Sequence, residues 1–192
     1  MIEERVETIK KSNRLVEILT SRKAKYVIGT VLLSGIGIAL PRIFHVLAGS
    51  SAGATFLPMH IAVLIASIVF GVVSGTIVAG SSVISSFLLT GMPSIDRLPY
   101  MLIELVIYAV LLGLFNKKFN SYISLIATII LGRVIYSGVL FMAINVLGLP
   151  TYGLSVIDSL VTGLPGIIIQ LLFVPIIAKL IKKGIKLDEP AK

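Results

Sequence analysis

The sequence predicts an all-α integral membrane protein, a single domain of six transmembrane helices with both termini in the cytoplasm. Three observations predict it. Of the 192 residues, 56% are hydrophobic and only 14% are charged, whereas a soluble domain carries about a quarter charged residues. Six apolar stretches recur along the chain with Gly, Pro or charged punctuation between them. Basic residues gather at the two ends and in one internal turn.

Residues 1–25 are charged throughout, from Glu3 and Glu4 to Arg22, Lys23 and Lys25, so they lack the apolar core of a signal peptide and are expected to be retained. Ile2, Val6 and Ile9, then Val16 and Leu19, recur at helical spacing. That pattern fits either an amphipathic helix on the membrane surface or a solvated tail. The first apolar stretch, residues 26–46, is long enough at ~1.5 Å per residue to cross the ~30 Å hydrocarbon core. Pro41 near its end is expected to stop or kink it.

Residues 57–89 are too long for one crossing, and Gly71, Ser74 and Gly75 break them into a tight hairpin of two short helices, 59–70 and 75–89. Helices this short must tilt or reach only part of the way across. A turn at Thr90, Gly91, Met92, Pro93 and Ser94 precedes a fourth helix over 99–115, which ends at Asn116, Lys117 and Lys118. A fifth covers 122–146. After a loop marked by Gly148, Pro150, Tyr152 and Gly153, a sixth covers 156–181, with Pro165 and Pro175 as expected kinks. Residues 26–181 are thus the transmembrane domain and residues 182–192 a basic cytoplasmic tail.

Cytoplasmic segments hold an excess of Lys and Arg. Seven lie before the first helix, two in the turn after the fourth and five at the C-terminal end; only Arg42 and Arg97 fall on the other side. The net charge of +8 therefore reads as a topology signal, and not as a nucleic-acid surface. With no cysteine, disulfides, thiolate metal sites and cysteine nucleophiles are excluded. A zinc site would need His45, His60 and carboxylates, and no His-Glu-x-x-His pattern is present.

Polar groups inside a membrane are costly, which makes them pointers to function. Glu104 lies in the fourth helix with Tyr100 and Tyr108 four residues to either side, on one face. An acid flanked by two phenols suits a small polar binding surface; it also suits a simple ion pair with Arg133 of the fifth helix, and the two are compatible. His60 opens the second helix, where an imidazole can bond a ligand or merely pack. Small residues form a third signal, because helices in lipid associate by close backbone approach. Gly71, Gly75 and Ala79 form a stripe for internal packing, while Thr30 with Ser34 and Gly35 with Ala39 give the first helix small faces for the bundle or for a partner.

Several segments together carry a resemblance. These are Phe56-Leu57-Pro58-Met59-His60-Ile61 leading to Phe70-Gly71, Ser85-Ser86-Phe87-Leu88-Leu89-Thr90-Gly91-Met92-Pro93, Glu104-Leu105 with Tyr108, Gly132-Arg133-Val134, and Thr162-Gly163-Leu164-Pro165-Gly166. They resemble the substrate-binding S components of energy-coupling factor (ECF) vitamin transporters over nearly the whole chain. The resemblance implies a cell-membrane protein without enzymatic activity or cofactor that captures a vitamin in a cavity near the outer face, gated by the loop between helices one and two. It implies partners too: a transmembrane coupling protein and two ATP-binding-cassette ATPases. Helix one of such subunits commonly offers an Ala-x-x-x-Ala face to the coupling protein. Here Thr30, Ser34, Gly35 and Ala39 are small but not the usual alanines.

The expected substrate site lies at the outer helix ends: Phe56, His60, Thr90, Met92, Tyr100, Glu104, Tyr108 and Asn145, with Arg133 as counter-ion or ligand. One buried acid and no Trp to stack a large flat ring favour a small hydroxyl-bearing compound such as pantothenate or a vitamin B6 form. No Gly-x-x-x-x-Gly-Lys-Ser/Thr loop is present, so ATP-driven transport would need other chains. The alternative is a stand-alone ion-coupled carrier of a small polar solute, for which Glu104 would be the coupling carboxylate. A membrane-embedded hydrolase is a weaker rival, because no nucleophile and base are paired at a recognisable spacing.

Overall fold

The computed structural model describes Arg5 and residues 21–49, 56–148 and 156–185. Outside them lie most of the N-terminal segment with its expected amphipathic helix, the expected gating loop at 50–55, the loop at 149–155 and the tail from 186. The described chain is helical, with six long elements in the order α1 (Arg22–Ala48), α2 (Pro58–Phe70), α3 (Val72–Thr90), α4 (Leu98–Phe115), α5 (Ser121–Asn145) and α6 (Val156–Gly184). Five of them are long and apolar enough to cross a membrane. The sixth, α2, has 13 residues, which at ~1.5 Å each give only about 20 Å. The chain is thus a multi-pass helical protein by length and composition, with α2 reaching part of the way.

Helix α2 sits in the middle of the bundle, packed against α1, α3, α4 and α6. All of its residues except Ile61 are buried, so it is solvated by protein and not by lipid. The outward faces of the other helices are apolar: Val31, Leu88, Ile130, Val134, Phe141 and Leu172 are all exposed. Such a surface would aggregate in water and is stable in hydrocarbon.

The turn from α2 to α3 is a single residue. Gly71 has φ +87, a left-handed conformation that costs a glycine little, and the two helices leave it as a hairpin. Small residues then let the helices close on each other. A Cβ on Gly75 would collide with the Ser67 hydroxyl, and one on Gly113 would lie 2.7 Å from the Val72 backbone nitrogen. Hydroxyl bonds stitch α1 to α3, since Thr30 Oγ1 donates to Ser74 Oγ at 2.9 Å and Ser81 Oγ to Ser34 Oγ at 2.9 Å. Asn116 Nδ2 caps α2 by donating to the Ile68 carbonyl at 3.1 Å.

One helix runs through a proline expected to stop or kink it: α1 does not stop at Pro41 but continues to Ala48. Helix α6 carries Pro165 and Pro175 within one element, as the expected sixth helix does. In lipid a broken helix bares several backbone groups, whereas a continued one leaves a single carbonyl unpaired per proline. Lys25 Nζ donates to the Ile185 carbonyl at 2.8 Å, which puts the start of α1 and the end of α6 on the same side of the bundle.

Candidate functional site

Three helices bring one charged or titratable side chain each to a common point. His60 is the third residue of α2, Glu104 comes from α4, and Arg133 from the middle of α5. Arg133 Nη1 lies 3.0 Å from Glu104 Oε1, and His60 Nε2 lies 3.9 Å from that same oxygen. The first distance is a charge-assisted contact and the second is too long for a hydrogen bond. The Arg133 and Glu104 side chains are 8% and 12% exposed, so the pair is largely shielded from water and its opposite charges compensate one another.

Aromatic rings close the sides. Tyr108, one turn after Glu104, stands edge-on to the His60 ring with centroids 5.5 Å apart. Its ring lies against Gly132, where a Cβ would fall 2.9 Å from Tyr108 Cε1. A second buried layer follows, made of Tyr100, Tyr136, Leu140 and Ala143. Tyr100 and Tyr136 each stand one turn beyond the ion pair on their own helices, so phenols flank it on the side toward the α4 start.

Hydrogen-bonding capacity is left over. Both ring nitrogens of His60 and Arg133 Nε are buried without a hydrogen-bond partner among the described residues, and Glu104 Oε1, although ion-paired with Arg133, accepts no well-aligned hydrogen bond. Thr128 Oγ1, Gln170 Nε2 and Ser82 Oγ are likewise buried without a partner among the described residues. A buried unmet donor or acceptor costs about 1–3 kcal/mol, and several around one ion pair mark a place where a polar molecule or water completes the set.

Of the residues proposed from sequence, His60, Glu104, Tyr108 and Arg133 converge, and Tyr100 lies in the adjoining layer. Others serve local roles. Thr90 Oγ1 donates to the Ser86 carbonyl at 2.7 Å and accepts from the Met92 backbone nitrogen at 3.2 Å. Asn145 Nδ2 donates to the Phe141 carbonyl at 3.0 Å and is exposed, as is Met92. Phe56 packs against Phe44 of α1, ring centroids 5.3 Å apart. The polar centre lies at the start of α2 and the middle of α5, because short α2 begins level with the middle of α5.

The small faces of α1 divide. Thr30 is buried and bonded to Ser74, and Ser34 accepts from Ser81, so both turn into the bundle. Gly35 and Ala39 are exposed, with nothing within 4 Å of a Cβ built on Gly35. Tyr136, Thr128 and Gln170 were not singled out from sequence. Gln170 is 2% exposed on the face of α6 that carries Val174 and Ala178 into the core, and a lone amide in an apolar helix was the available signal. No protein-family model, curated protein or solved structure matches this chain, so the reading of the site rests on its own residues.

Proposed function

We propose that this protein captures a small polar solute of the vitamin class from the outer side of the cell membrane, as the substrate-binding subunit of an ECF-type importer. The observation that carries the reading is the buried meeting of Glu104, Arg133, His60 and Tyr108 with unmet hydrogen-bonding capacity. Glu104 accepts from hydroxyl, amide or ring N–H groups of the solute; His60 offers one donor and one acceptor when neutral; Arg133 Nε donates. A pair whose charges already cancel favours a solute that brings hydrogen bonds over one that brings net charge. Apolar walls with a few placed polar groups are the usual make-up of such sites.

The charge distribution supports cytoplasmic termini, and the resemblance supports a transmembrane coupling protein and two ATP-binding-cassette ATPases as partners. The subunit binds and releases its cargo chemically unchanged. The exposed Gly35 and Ala39 of α1 are the docking surface in this reading. Gly35→Leu is expected to weaken assembly with the coupling protein while leaving solute capture intact.

Native mass spectrometry of the protein purified in detergent from cells grown in rich medium tests the proposal. A stoichiometric co-purified vitamin is the expected result. An empty protein that also binds none of a vitamin panel would overturn the reading. A second reading, a stand-alone ion-coupled carrier, is favoured by the ion-paired carboxylate of Glu104 inside the bundle. Uptake by the purified protein alone in liposomes, driven by a proton or sodium gradient, would establish it.

A further inference from the structure

The contact of Lys25 with Ile185 joins two basic helix ends that are 160 residues apart in sequence. Lys23 and Lys25 open α1, and Lys179, Lys182 and Lys183 close α6. Lys23, Lys179 and Lys183 are exposed, while Lys25 and Lys182 are half-buried. Lys25 donates one of its ammonium protons to the Ile185 carbonyl just past the end of α6, where a cation is also favoured by the helix dipole. The acids at described positions lie elsewhere: Asp96 in the turn before α4, Glu104 in the buried cluster, and Asp158 in the first turn of α6, at the opposite end of that helix from the lysines. No acidic side chain among the described residues therefore offsets this seam.

We propose that the α1–α6 seam binds the phosphate headgroups of anionic phospholipids in the leaflet that faces it. The apolar residues just beyond the lysines match the occupant: Val27, Ile28 and Val31 on α1 and Leu172, Ile176 and Leu180 on α6 are exposed, giving acyl chains a surface directly below the charges. A free phosphate ion would use only the lysines; a lipid uses both parts. Basic sites between membrane helices are known to select charged headgroups in this way. The inference rests on the two helix ends and is independent of what the buried cluster binds.

The test is native mass spectrometry of the full-length protein in detergent, titrated with phosphatidylglycerol or phosphatidylcholine at equal lipid ratios. Preferential retention of phosphatidylglycerol is expected, and Lys23→Gln/Lys182→Gln/Lys183→Gln should reduce it by about a hundredfold, given about fivefold per charge lost near the surface. The control is Lys117→Gln/Lys118→Gln, in the α4–α5 turn, which should retain phosphatidylglycerol as the parent does. Equal retention of both lipids, an unaffected triple variant, or an equal loss in the control would each overturn a site at this seam. Displacement of the lipid by millimolar inorganic phosphate would reassign the site to free phosphate and overturn the lipid proposal.

Discussion

Glu104 and Arg133 meet at 3.0 Å with little access to solvent, so removing one strands the other. Glu104→Gln and Arg133→Gln are each expected to lower stability by about 3–5 kcal/mol. The double substitution should cost about 1–3 kcal/mol less than the two singles combined. Thermal unfolding of the four proteins in one detergent checks this, and strictly additive losses would mean that the two side chains do not meet. Glu104→Gln should weaken solute binding as well, because the amide offers one acceptor in place of two. At this scale the sequence revealed Glu104 and its tyrosine neighbours through spacing, and Arg133 through its depth. Thr90 and Asn145 bond to carbonyls of their own helices, a use that a polar side chain near a helix end finds as readily as a ligand. Tyr136 was hidden because it belongs to the site through α5 packing on α4, a relation that no local spacing encodes.

Between helices, close approach depends on a few glycines, and their surroundings differ. Gly113→Ala would put a methyl 2.7 Å from the Val72 backbone nitrogen, an atom that cannot swing aside, so a loss of about 1–3 kcal/mol is expected. Gly35→Ala meets open space and should change stability by no more than about 0.5 kcal/mol. Melting temperatures of the two variants, measured side by side, check the contrast. Thr30→Val removes the bond to Ser74 and should cost about 0.6 kcal/mol, the average for such interhelical bonds in a membrane. The element boundaries were largely legible, since apolar length and Gly/Pro punctuation mark where a helix can sit in lipid. The continuation of α1 through Pro41 was not, because a proline signals a break in water more strongly than it does in hydrocarbon, where a bare backbone is the greater cost.

For the molecule as a whole, the alternation of the helices and the Lys25–Ile185 contact put the start of α1, the α4–α5 turn and the end of α6 on one side. The turn carrying Ile95 falls on the other. The chain has no cysteine, so single substitutions report cleanly. Lys117→Cys and Lys183→Cys should react with a membrane-impermeant thiol reagent from one side only, and Ile95→Cys from the opposite side. Labelling of Ile95→Cys and Lys183→Cys from the same side would contradict the arrangement. The central, protein-covered position of α2 also bears on how the chain is made. A helix of 13 residues emerging from the ribosome is too short to lodge across a bilayer by itself, and only Gly71 separates it from α3. The insertion machinery therefore has to accept α2 and α3 together as one hairpin, and synthesis interrupted between them would leave a fragment with no stable place in the membrane.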